Sequence, residues 1–145
     1  MLIKNIRHTG IVVDDLDASL VFYNGLLGFA IDHTAEEDER FICEILGITS
    51  AGLNTVKLSI GEGVRKQLIE LLCFNENKHG IFDLITTGPT HIALEVNNIE
   101  HLYKKLVENG IYFVSPPKTT PNMFAKVCFC KAPEGTYIEL VQLLE

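Results

Sequence analysis

The chain has 145 residues, of which 47% are hydrophobic and 21% charged, a balance typical of one globular domain and unlike that of a disordered or fibrous protein. A formal net charge of −7 argues against nucleic acid or an anionic membrane as partner, because both attract basic surfaces. The polar stretch 5–9 interrupts the opening apolar run, so we expect no signal peptide and a cytoplasmic protein. Its four cysteines are then expected to be reduced thiols.

In chain order, the first feature is a unit that occurs twice. HTGIVVDDL stands at 8–16, and the similar run HIALEVNNI stands at 91–99. In both runs, aliphatic or β-branched residues precede two helix-capping residues, which predicts a strand followed by a helix. Apolar residues at helical spacing follow, and then a glycine of the kind that ends helices. These helices cover 16–27 before Gly28 and 99–106 before Gly110.

Three further strands are predicted in each copy. They cover 29–31, 55–60 and 67–72 in the first copy, and 111–114, 126–130 and 136–141 in the second. The turn Pro133-Glu134-Gly135 is expected to pair the last two strands as a hairpin. Each copy therefore reads as a βαβββ module, which predicts an α+β fold.

The boundaries follow from the same pattern. Module 1 covers 1–74 and module 2 covers 91–145, with a linker at 75–90 that is rich in turn residues. An insertion at 35–52 distinguishes the first copy, and we expect a short helix in it, over 38–46, ending at Gly47. The two modules together are expected to form a single domain over 1–145.

Two acidic residues occupy unusual positions. Glu70 and Glu139 each lie in the middle of an otherwise apolar strand, where an unpartnered carboxylate would cost several kcal/mol. Each copy also carries a histidine on its first strand, His8 or His91. If the modules pair about a pseudo-twofold axis, two imidazoles and two carboxylates converge on one point. Such a set suits one divalent metal ion, Ni, Co or Zn first, and Mn or Fe as further possibilities.

The chain resembles the vicinal oxygen chelate superfamily, which contains glyoxalase I, bleomycin-resistance proteins, extradiol dioxygenases and methylmalonyl-CoA epimerase. The resemblance runs through HTGIVVDDLDASLVFYNGLLGF, QLIELL, THIALEVNNIEHLYKKL and APEGTYIELVQ, and is strongest to glyoxalase I-like and epimerase-like members. It implies two paired βαβββ modules that form a cup-shaped mixed sheet around a metal site. It also places the four metal ligands on His8, Glu70, His91 and Glu139. The epimerases usually carry glutamine where this chain has Glu70.

The resemblance further implies a reaction. Four protein ligands leave two positions of an octahedral metal for neighbouring substrate oxygens, so that the metal stabilises an enediolate or enolate. In glyoxalase I-like enzymes the last glutamate is the base, which corresponds to Glu139, and Glu70 would face it across the substrate carbon. We therefore predict a lactoylglutathione lyase-like or acyl-CoA epimerase-like enzyme that transfers a proton α to a carbonyl.

Two alternatives stay open from the sequence. One is an Fe(II)-dependent extradiol-type dioxygenase, which uses two histidines and one carboxylate. Glu70 disfavours it, since this residue would fill one of the three positions that the dioxygenase needs. The other is a non-catalytic resistance protein of the same fold that binds a small molecule. The complete ligand set disfavours that second alternative.

Substrate contacts are predicted less directly. Tyr137 lies two residues before Glu139 on the same strand face, and Phe41 lies in the insertion, at the expected mouth of the pocket. Basic groups could hold the carboxylates of glutathione or the phosphates of coenzyme A, and Lys126 is the first choice. The other basic candidates are Arg65, Lys66, Lys118 and Lys131.

Two further expectations concern cysteines and assembly. Cys128 and Cys130 share a strand face, whereas a metal-binding cysteine pair usually has a turn between its members, so we interpret them as core or cup-lining thiols. Open sheet edges favour a homodimer. The sequence leaves open whether one chain or two build the site.

Overall fold

The computed structural model describes residues 2, 4–61, 66–80, 84–85, 87–89 and 91–144. The chain divides into two compact units, Met1–His79 and Gly80–Glu145. Each unit contains one four-stranded mixed sheet. Among the described residues, no helix has both the length and the apolar character needed to cross a membrane.

The first unit has the predicted order of elements, including the helix expected in the insertion. The sheet order is β1-β4-β3-β2, in which β1 runs parallel to β4 and the other pairs are antiparallel. The helix after β1 continues without a break into a π-helical turn over Val21–Leu26. The elements are β1 (Thr9–Val12), α1 (Leu16–Leu20), β2 (Ala30–Glu36), α2 (Glu39–Leu46), β3 (Leu53–Ile60) and β4 (Gln67–Phe74).

The second unit repeats this topology. Its sheet order is β5-β8-β7-β6, again with a parallel pair, β5 and β8, followed by antiparallel neighbours. The predicted α+β fold of two βαβββ modules is therefore confirmed. The elements are β5 (His91–Glu95), α3 (Ile99–Glu108), β6 (Lys118–Thr119), β7 (Ala125–Lys131) and β8 (Tyr137–Leu143).

The predicted helix in the insertion is also confirmed. Helix α2 begins after Asp38, whose carboxylate accepts a hydrogen bond from the Phe41 N–H at 2.8 Å. It ends at Gly47, whose φ of 66° lies in the left-handed region that favours glycine. Strand β2, however, extends to Glu36 and so takes up the first residues of the predicted insertion.

One predicted strand is wrong. The segment 111–114 forms no strand, and Phe113 makes only an isolated bridge to Cys130. On the side away from β8, β7 pairs with β6, which comes after Pro116 and Pro117. Proline has no N–H to donate to a sheet ladder, so the two prolines separate the bridge from the strand.

Each sheet has an apolar face that contributes to the core and a second face that carries its glutamate. In the second unit, Ile138 and Leu140 of β8 are completely buried on the apolar face, which packs against α3. Cys128 and Cys130 of β7 are buried there too, as expected for core thiols. Because side chains alternate along a strand, Glu139 faces the opposite way. Glu70 has the same relation to the buried neighbours Ile69 and Leu71 in the first unit.

Candidate metal centre

The first unit brings His8 and Glu70 together. His8 directly precedes β1, and Gly10, two residues later, is the cross-strand partner of Glu70. The Nε2 atom of His8 lies 3.0 Å from Oε2 of Glu70, with the two side chains 35% and 13% exposed. The imidazole thus covers a carboxylate that is largely removed from water.

The second unit brings His91 and Glu139 together in the same way. His91 begins β5, and Ala93, two residues later, is the cross-strand partner of Glu139. The Nε2 atom of His91 lies 3.3 Å from Oε2 of Glu139, with the side chains 39% and 21% exposed. Each unit therefore places its histidine two residues before the small residue, Gly10 or Ala93, that pairs with its glutamate.

The geometry of each pair fits a shared metal ion. Imidazole nitrogens and carboxylate oxygens bind Zn²⁺ at about 2.0–2.2 Å. Two such donors that are neighbours around one metal are therefore separated by roughly 2.8–3.6 Å. The observed 3.0 and 3.3 Å lie in this range, which also includes direct contacts between an imidazole and a carboxylate. Nitrogen and oxygen donors of this kind also suit Ni, Co, Mn and Fe(II).

The predicted ligands do not form one group among the residues that the structure describes. Within the described part of the chain, no three or more His, Cys, Asp or Glu side chains are grouped so that they could hold a metal ion. The four predicted ligands stand as two pairs, one in each unit.

Lys57 is a residue of this face that the sequence analysis did not single out. It lies on β3 as the direct cross-strand partner of Glu70, and its Nζ atom is 3.7 Å from Oε1 of that glutamate. A sequence signal was available, because Thr55, Lys57 and Ser59 alternate with apolar Val56 and Leu58. Only the strand pairing, however, shows that this polar row meets Glu70.

Tyr137 lies beside the second pair. It is the cross-strand partner of both His91 and Lys131, so the three side chains share one face of the sheet. The ammonium group of Lys131 lies 5.1 Å from the centre of the Tyr137 ring. Phe129, the cross-strand partner of Glu139, packs edge-to-face with the His91 ring at 5.4 Å. Tyr137 therefore shares a sheet face with His91, and its contact with a substrate stays a prediction.

Lys126 lies on the other side of the sheet. It alternates with Phe129 and Val127, and its Nζ atom is 2.8 Å from Oε1 of Glu100 on α3. Lys126 therefore does not face Glu139. Its ion pair with Glu100 instead connects β7 to α3, the helix that covers the apolar face.

The remaining candidates are dispersed. Phe41 is 56% exposed on α2, whereas its neighbour Ile42 packs with Leu53, Leu72 and Phe74, at the end of the face that carries Glu70. The Nζ atom of Lys66 is 3.2 Å from Asp32, and Lys118 pairs with Val127 at the sheet edge. Arg65 lies outside the described residues.

The buried thiols do not belong to the site. Burial raises the pKa of Cys128 to about 11 and that of Cys130 to about 12. Both therefore stay protonated at neutral pH, whereas metal binding and nucleophilic attack need the thiolate. All four cysteines are free thiols.

Comparison with known proteins shows the family of the chain. The sequence model of the Glyoxalase/Bleomycin resistance protein/Dioxygenase superfamily matches residues 5–140. The chain belongs to this superfamily. Lactoylglutathione lyase from Schizosaccharomyces pombe is 30% identical over 97% of the chain, although the chain spans about half of that protein, 48%. The uncharacterised protein YwbC from Bacillus subtilis is 28% identical, over 96% of this chain and 98% of its own.

Solved structures of the superfamily share the fold. A glyoxalase family protein from Bacillus cereus superposes with a TM-score of 0.83 at 18% identity, over 100% of this chain and 99% of its own. The trypanothione-dependent glyoxalase I of Leishmania major gives 0.69 at 23% identity, over 96% and 86%. Glyoxalase I from Zea mays gives 0.73 at 20% identity, over 95% of this chain and 44% of its own. At these identities the likeness shows the fold alone.

Proposed function

We propose that this protein is a metal-dependent lyase or isomerase that moves a proton α to a carbonyl group of a small-molecule substrate. The observation that carries the proposal is the pair of equivalent His–Glu contacts, His8 with Glu70 and His91 with Glu139. A single such contact is common in proteins. Two such contacts at equivalent strand positions of a duplicated module indicate that the four side chains serve one function.

The four side chains together would hold one divalent cation, Ni, Co or Zn in the first place. Two neutral imidazoles and two carboxylates balance its charge, which offsets the cost of keeping two carboxylates largely out of water. A bound divalent cation supplies Lewis acidity to two neighbouring oxygens of the substrate, which makes the adjacent C–H more acidic. We propose that the two modules act as one domain for this purpose, within one chain or across a homodimer.

The proton itself is moved by the glutamates. Glu139 takes the proton from the substrate carbon, and Glu70 is available to return it on the other side. His8 and His91 would hold the metal next to these carboxylates, because the Nε2 atom of each lies 3.0 or 3.3 Å from its glutamate. Tyr137, next to His91 on the same face, lines the substrate side of the site.

The similarity to lactoylglutathione lyase makes one substrate the first to test. The purified protein is loaded with Ni, Co or Zn, its metal content is measured by elemental analysis, and turnover of the methylglyoxal–glutathione hemithioacetal is followed. Epimerisation of acyl-CoA esters is assayed in parallel. The matched variant is Glu139→Gln, which keeps the size of the side chain and a metal-binding oxygen but removes the base.

The expected result is about one metal per chain and turnover of at least one substrate class, lost in Glu139→Gln. Full activity in Glu139→Gln would make the base assignment wrong. A preference for iron with cleavage of catechols would replace the proposal by the dioxygenase alternative. Absence of metal after reconstitution would leave a small-molecule-binding protein of the superfamily.

A further inference from the structure

We infer that Lys57 binds a carboxylate of the substrate, so that the substrate is a carboxylic acid whose charged group is adjacent to the oxygen or hydroxyl group held at the metal. This inference rests on the proposed function and specifies its substrate class. Lys57 lies directly beside Glu70, on the same face of the first sheet.

The ammonium group of Lys57 is only loosely engaged. Its 3.7 Å separation from Glu70 Oε1 is too long for a hydrogen bond. Among the described residues, no other side chain or carbonyl bonds to it. By contrast, its neighbours on the same face, Thr55 and Ser59, donate hydrogen bonds to Glu37 at 2.7 Å and to Asp32 at 2.8 Å. The N–H groups of Lys57 are thus available to a ligand, whereas the hydroxyl groups of Thr55 and Ser59 already donate hydrogen bonds.

The second unit shows that the fold does not require a charge at this position. The residue that pairs with Glu139, as Lys57 pairs with Glu70, is Phe129. An uncharged side chain therefore serves the equivalent strand equally well. The lysine is a specific property of the first unit, which argues against a purely structural role.

Charge balance indicates what the lysine binds. A divalent cation bound by Glu70 has more positive charge than this one carboxylate can balance, so the positive charge of Lys57 is then no longer compensated by its glutamate. The cross-strand row through Lys57 consists of Gly10, Glu70, Lys57 and His33, and within it Glu70 is the single acidic residue. Lys57 is 34% exposed, so its charge is only partly screened by water. A substrate carboxylate would supply both the missing anion and an acceptor for the free N–H groups.

The test compares two small probes of similar size and shape, of which only one is charged. Glycolate and glycolamide both present two neighbouring oxygens, but glycolate alone carries a carboxylate. Each is titrated into the Co(II)-loaded protein, and binding is read from the visible absorption of the cobalt. The variants are Lys57→Met and Lys57→Gln, which remove the charge, and Lys57→Arg, which keeps it. Lys126→Met is the control, since Lys126 is equally exposed, at 33%, but lies on the other face.

We expect both neutral variants to bind glycolate about tenfold or more weakly than the wild type, as loss of a charge-assisted hydrogen bond predicts. Affinity for glycolamide should change by less than about twofold, and Lys57→Arg should retain most of the preference for glycolate. An unchanged preference in Lys57→Gln, or an equal loss in Lys126→Met, would overturn the inference while leaving the proposed function in place. Failure of the wild type to bind cobalt would overturn both.

Discussion

The stability of the protein should depend on metal through all four ligands at once. We predict that His8→Ala and His91→Ala, which lie in different units, each abolish the whole rise in melting temperature that metal produces in the wild type. The reason is that one ion bound by both pairs is lost when either pair is broken. Two independent sites, one in each unit, would instead lose only one part of the rise in each variant.

The size of the effect can be estimated from chain length. Metal present at 100 times its dissociation constant stabilises the folded state by about 2.7 kcal/mol. With an unfolding entropy of about 2.1 cal/mol/K per residue, the entropy of the whole chain is roughly 0.3 kcal/mol/K, so the melting temperature should rise by about 9 °C. In metal-free protein His91→Ala removes the contact with Glu139 and the ring contact with Phe129. The ring contact by itself contributes about 0.5–1.5 kcal/mol, or roughly 2–5 °C.

The assay is thermal unfolding of each protein with chelator and then with Ni, Co or Zn. His33→Ala is the matched control, because His33 is an exposed histidine of β2 that is not paired with a glutamate of the site. The control should keep the full rise. A rise retained in His91→Ala, or lost equally in His33→Ala, would refute a shared site. A rise that is halved in each of the two variants would show two separate sites.

Three further predictions concern the base, the thiols and the core. Glu139→Gln should lower kcat by about 10²–10⁴ while the protein still takes up metal, as measured by turnover next to elemental analysis. Because the pKa of Cys128 is raised to about 11 and that of Cys130 to about 12, their contribution to stability is complete below the usual thiol pKa and is lost as the pH rises toward 11–12. Denaturant unfolding should therefore show a free energy of unfolding that falls as the pH rises above 8. In a Cys130→Ala variant, the fall from its own value at pH 8 should be smaller. Leu140→Ala, in the completely buried part of β8, should cost about 2–5 kcal/mol in the same assay, and a cost below 1 kcal/mol would contradict the packing described.

The fold and the four ligand candidates could be predicted from the sequence because the signals are local and occur twice. Strand and helix periodicities are properties of neighbouring residues, and capping residues such as Asp38 and Gly47 mark the ends of α2 directly. Two glutamates in the middle of apolar strands were conspicuous without any knowledge of their neighbours, since each needs a partner.

Only the tertiary structure decided which side chains face one another. The pairing of β3 with β4 placed Lys57 beside Glu70, and the pairing of β7 with β8 placed Phe129, not Lys126, beside Glu139. A shift of one residue in either pairing would reverse these assignments, because successive strand residues point to opposite faces. The sequence determines the modules through local periodicity, but the composition of the site depends on the pairing of strands that are distant in the chain.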